Sequence, residues 1–139
     1  MTAEELWKSS GIIGDYEAWS FGGDPDGSAE LTEKGIKTAT CSALCFYESE
    51  NEPLPQVGEY SVILDSKDNA VCIIKITKVY VTSFDRVTEE HAFKEGEGDR
   101  SLAYWKRVHK EFFSEELRSV GRCFDTKMSI VCEEFERVY

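Results

Sequence analysis

The sequence is short of several things at once. It has 2 histidines, 3 prolines and 2 methionines in 139 residues, and no apolar run approaches the ~20 residues that span a bilayer. No membrane partner is expected. The five cysteines, Cys41, Cys45, Cys72, Cys123 and Cys132, are odd in number and include no CxxC pair. That excludes a secreted disulfide framework and points to reduced thiols in a cytoplasmic protein. Met1 to Ser10 lacks the basic flank and apolar stretch of a signal peptide. His91 and His109 stand alone, with no second histidine or cysteine at ligand spacing, so neither a metal nor another cofactor is expected.

Positive charge is also scarce. Sixteen basic residues stand against 27 acidic ones, for a net charge of −11. Affinity for nucleic acid rests largely on neutralising phosphates, so duplex DNA is not an expected partner. The imbalance is concentrated early: residues 1–66 carry 3 basic and 13 acidic residues, whereas 67–139 carry 13 and 14. Arg100, Lys106, Arg107 and Lys110 form either a local basic face or a solvated helix surface.

What is present suffices for one folded unit. The length fits a single domain over 1–139, with 1–20 expected as an N-terminal helical extension. The pattern predicts a short helix over Glu4–Ser10 and another over Asp26–Lys34, capped by Asp26 and stopped by Gly35. A strand is expected from near Lys37, then a loop over Glu48–Val57 that carries Pro53 and Pro55. Glu59–Leu64 and the β-branched run Ala70–Thr82 read as a hairpin about Ser66–Asn69. Thr88 heads a short helix to Lys94. Trp105, Val108, Phe112 and Phe113 recur at helical spacing over Ser101–Leu117. A final strand is expected over Lys127–Val138. Helices inserted among antiparallel strands indicate an α+β fold.

Two segments offer chemistry. Lys37 and Thr40, just past a helix stop, can converge on one pocket. A buried lysine with a lowered pKa takes a proton from a hydroxyl nucleophile, here Thr40. A solvated lysine beside strand threonines gives the same spacing. In Glu95-Gly96-Glu97-Gly98-Asp99, glycines admit close backbone approach while carboxylates hold a lysine or exchange protons. Asp99 also reads as a helix cap. Trp19 and Phe21 are candidates for stacking a base, or for the core.

Taken together these segments resemble the ASCH (activating signal cointegrator homology) family, whose hallmark is a G-x-K-x-x-T motif at a helix end, here Gly35 to Thr40. Val57-Gly58-Glu59, the Ile73–Val79 strand, Val87 to Ala92, the run Glu95 to Asp99, Ser101-Leu102 with Trp105, and the closing Phe135–Tyr139 segment extend the likeness over nearly the whole chain. The resemblance implies a PUA-like mixed or antiparallel β-barrel with helices packed at its ends and a cleft carrying the motif. Some small bacterial members of the family remove the acetyl group from N(4)-acetylcytidine. Carried over by motif, their lysine, threonine and glutamate fall on Lys37, Thr40 and Glu95. Trp19, Phe21, Thr38, Glu97, Arg100 and Ser101 are the expected substrate contacts. The implied partner is a small nucleoside or single-stranded RNA. A non-catalytic RNA or modified-base module, and a ribonuclease, are the alternatives.

Overall fold

Hydroxyl and glycine signals set the helix ends. In the computed structural model, which describes residues 1–139, α1 (Ala3–Ser10) begins under Thr2, whose hydroxyl accepts from the Glu5 amide, and stops at Gly11 with φ 73°. Helix α2 (Pro25–Glu33) starts earlier than expected. Asp24, not Asp26, is its cap and accepts from the Gly27 amide at 3.0 Å. Pro25 occupies the first helical position, where its missing N–H is not needed. Asp26 instead accepts from the amide and hydroxyl of Ser66. At the other end Gly35 N–H donates to Thr32 O and Ile36 N–H to Leu31 O, the pairing that a left-handed glycine after a helix allows.

Five strands make one sheet: β1 (Tyr16–Trp19), β2 (Ala39–Ala43), β3 (Tyr60–Leu64), β4 (Ala70–Ser83) and β5 (Ser129–Arg137). Their spatial order is β1-β3-β4-β5-β2, with β1 parallel to β3 and every other pair antiparallel. The stretch 1–20, expected to be helical, therefore holds a sheet strand as well as α1. Strand β2 also begins later than expected. The amides of Ile36 and Lys37 both donate to Leu31 O, which keeps Lys37 in the helix exit until the ladder starts at Ala39.

The expected barrel is not closed. Strands β1 and β2 are the two sheet edges, and no ladder joins them. A cavity lies between them, and Phe112 and Glu116 of α5 (Leu102–Arg118), with Pro53 and Leu54 of the loop before β3, share its lining. Side chains line the seam, and no strand pairing crosses it. A short helix, α3 (Leu44–Ser49), leads from β2 into that loop.

Packing explains the near-continuous apolar start of β4. Cys72, Ile73 and Ile74 are all buried because the sheet is covered on both faces there. Trp7 of α1 packs with Val62 and Ile73, while Phe21, Ala29 and Phe135 pack with Ile63, Cys72 and Ile74. The largest cluster joins Phe84, Trp105, Phe113, Ile130 and Cys132 beneath α5. Full burial of a side chain such as Phe113 stabilises the fold by about 1.5–3 kcal/mol. Helix α4 (Glu89–Glu95) is fixed at both ends, by Thr88 accepting from the His91 amide and by Gly96 at φ 77°. The cap of α5 is Ser101, which accepts from Tyr104 N–H, and not Asp99, which accepts from Ser101 N–H. No helix is long and apolar enough to cross a membrane.

Candidate functional site

Glu95 closes helix α4 and points inward, with its side chain 2% exposed. His91 lies four residues earlier on the same helix face, and its Nε2 is 2.7 Å from Glu95 Oε2. From α5, Trp105 Nε1–H donates to the same oxygen at 2.7 Å. Glu95 Oε1 stands 3.5 Å from His109 Nε2. Trp105 and His109 are again four residues apart and stack with centroids 4.3 Å apart. Two helices thus grip one carboxylate.

Lys37 arrives from the other side. Its side chain is 1% exposed, and Nζ donates to Glu97 Oε1 at 2.9 Å and to both Glu95 Oε1 and the Glu95 carbonyl at 3.3 Å. Phe21 lies beneath the ammonium, 5.1 Å from ring centroid to Nζ. The approach depends on Gly96, since a Cβ there would stand 2.9 Å from Ile36 O and 3.1 Å from Lys37 Cα. Thr38 N–H donates to Lys94 O at 2.7 Å, pinning the segment to the end of α4.

Charge at this site is set by competition. Burial pulls the Lys37 pKa down, as the expected general base requires, but the Glu95 and Glu97 carboxylates outweigh it and hold the amine above its ordinary value. Lys37 therefore rests as an ammonium. Burial pushes Glu95 up, yet the Lys37 charge and hydrogen bonds from His109 and His91 hold it well below the usual carboxylate range. Burial lowers His109, and the hydrogen bond and charge of Glu95 reverse that to a net rise. Cys41 is raised, first by burial and then by Glu95, so it stays a thiol.

A cavity of about 680 Å³ opens over this cluster. Lys37, Thr40, Glu95, Glu97 and Phe21 line it together with Cys41, His109 and Tyr104. Thr40 is half-buried and has no hydrogen bond to Lys37 or Glu95. Four of the expected substrate contacts lie outside the lining: Trp19 is elsewhere, Thr38 faces Lys94, Ser101 caps α5, and Arg100 donates to the carbonyls of Phe93 and Ile36. Trp19 lines a second cavity, and Phe21 belongs to both. Phe21 is itself 6% exposed and packs edge-on against Trp19 at 4.8 Å. With the Lys37 ammonium over its ring, it has little free face for a ligand.

Donor atoms of Cys41, His91 and Glu95 lie within 4.8 Å of one another. Both ring nitrogens of His91 already have partners, Tyr80 Oη at 3.3 Å and Glu95, and the Lys37 ammonium opposes a second cation at that carboxylate. The trio is better described as a hydrogen-bond network. His91, Trp105 and His109 were not among the expected site residues. The spacings His91/Glu95 and Trp105/His109, each one helical turn, were the available signal.

Residues 17–139 match the family model described as ASCH domain. The crystal structure of an ASCH domain from Lactobacillus crispatus JV V101 is 32% identical, with a TM-score of 0.93 over 98% of this chain and 93% of that one. A crystal structure of a protein from Enterococcus faecalis V583 is 34% identical, with a TM-score of 0.85 over 97% of this chain and 86% of that one. No curated protein matches the chain.

Proposed function

The chain belongs to the ASCH domain family, and from that premise we propose that it is an amidohydrolase deacylating N(4)-acetylcytidine-like nucleosides. The observation that carries the reading is the buried Lys37 ammonium, held by two carboxylates and lining a cavity shared with a threonine hydroxyl. A buried charge of this kind adds little net stability to a fold. It does supply, once the amine has taken the nucleophile's proton, a charge beside the tetrahedral oxyanion and a proton for a departing amine.

In this reading the nucleoside's acyl carbon sits beside Thr40. Lys37 must first pass a proton to Glu95, a step against the resting charges of the pair whose cost falls as the ligand excludes water, because the transfer removes two charges. Thr40 Oγ then attacks the acyl carbon and its proton moves to the Lys37 amine. Collapse of the tetrahedral intermediate breaks the C–N bond. The amine leaves with the proton returned by Lys37, and Thr40 keeps the acyl group as an ester. Water repeats the sequence and releases the carboxylic acid. Glu95, oriented by His91, Trp105 and His109, positions Lys37 throughout.

Purified protein incubated with N(4)-acetylcytidine should release cytidine and acetate, read by chromatography. Thr40→Ala and Lys37→Ala should each lower turnover by roughly a hundredfold or more. Absence of turnover by the wild type, or unchanged turnover in Thr40→Ala, would overturn the reading. Chain scission of RNA without added metal would favour the ribonuclease instead.

A further inference from the structure

The cavity between the two sheet edges, about 640 Å³, differs in charge from the one over Lys37. Glu17, Glu52, Glu59, Glu116 and Glu133 line it, with no lysine, arginine or histidine. Trp19 and Tyr47 supply aromatic wall. Acidic residues alone do not make a site, but Glu133 is a separate matter. It is 9% exposed and lies in β5, opposite Thr40 of β2 and Val79 of β4. Its carboxylate has no hydrogen-bond donor and no cation within the protein, and its oxygens are not sealed but open to the cavity. Glu95, the other buried carboxylate described above, has four donors.

A residue nine-tenths buried whose carboxylate has no partner in the protein depends on whatever enters the cavity for its hydrogen bonds. Burial, with Glu59 and Glu17 adding repulsion, pushes Glu133 up to about 7. A hydroxyl ligand would satisfy its hydrogen bonding and leave the repulsion among the carboxylates in place. A cation relieves both, and aromatic walls add attraction to a planar or alkylated one.

We infer that this second cavity binds an organic cation, through an ammonium, amidinium or guanidinium group that donates to Glu133 and lies against Trp19 or Tyr47. Phe21, Gly22, Thr40, Cys41 and Phe112 line both cavities, so such a ligand abuts the Lys37 site. The inference stands apart from the hydrolytic reading, because it is tested by binding alone.

Benzamidine and its neutral isostere benzamide separate charge from shape. By calorimetry at low salt and about pH 8, the amidinium should bind about tenfold tighter than the amide or better, and Glu133→Gln should lose that preference. Glu89→Gln, an exposed carboxylate on α4, should change nothing. Affinity should fall as pH drops through about 7 and Glu133 takes a proton. The other titratable groups of the lining are Glu17 of β1, Cys41 of β2, Tyr47 of α3, Glu52 of the following loop, Glu59 and Tyr60 at the start of β3, and Glu116 of α5. Should circular dichroism show that Glu133→Gln is unfolded, Glu17→Gln and Glu59→Gln decide, each expected to weaken the amidinium several-fold. Equal affinity for amide and amidinium, no amidinium binding, or affinity unchanged in these variants would overturn the inference.

Discussion

Lys37 and Glu95 meet twice: Nζ of Lys37 stands 3.3 Å from both a carboxylate oxygen and the backbone carbonyl of Glu95. The contact ties the exit of α2 to the last residue of α4 and fixes the ammonium where Thr40 and the cavity are. It also makes each residue dependent on the other.

Removing the cation alone leaves a buried carboxylate without its main partner. Lys37→Met is expected to lose about 3–5 kcal/mol of stability in urea denaturation. The double variant Lys37→Met/Glu95→Gln should lose less, because an amide leaves no buried net charge. Equal losses in single and double variants would mean that the pair's charges do not matter to each other.

Glu133 should behave in the opposite sense. Its pKa is raised to about 7, so between about pH 4.5 and 7 the folded state binds more protons than the unfolded one, and stability falls as pH rises. At pH 8 the ionised group costs on the order of 3 kcal/mol. Glu133→Gln is therefore expected to stabilise the protein at about pH 8 and to make little difference near pH 4. Thermal unfolding at the two pH values checks this.

Gly96 combines φ 77° with a contact no side chain fits, 2.9 Å from the Ile36 carbonyl. Gly96→Ala should destabilise by more than about 1 kcal/mol and shift Lys37 away from Glu95. Reduced turnover accompanied by a lower unfolding midpoint is the expected result, and a wild-type midpoint would contradict it.

The His109 pKa is raised by Glu95 against the effect of burial. A raised histidine contributes stability that is present below its unfolded pKa and is lost as pH rises through the folded one. His109→Gln should accordingly lose more stability near pH 5.5 than near pH 8.5. An NMR titration of His109 should show a midpoint above the ordinary ~6.5, falling in Glu95→Gln.

Local signals carried much of the fold. Gly35 at a positive φ, the Thr88 cap and the aromatic repeat through Trp105 and Phe113 each act within a few residues, so the helix exits and the hairpin of β3 and β4 were readable. The residues that escaped are those decided at long range. Tyr16–Trp19 is too short to show a period and becomes a strand only because β3 lies beside it. Asp99 lost the cap to Ser101 by a two-residue shift that only backbone geometry fixes. Closure of the sheet depended on what fills the seam between β1 and β2, which no single segment encodes.

By itself the sequence determined the family likeness, the α+β class, the acidic balance and the placing of Lys37 just beyond a helix stop, because these follow from residue types and short spacings. The tertiary structure decided the charge of Lys37. Burial alone would have favoured the neutral amine, and two carboxylates 58 and 60 residues away reversed it. It also decided that Glu133 faces an acidic cavity with no partner of its own. Both outcomes rest on electrostatic neighbours, and those are assigned by folding rather than by order in the chain.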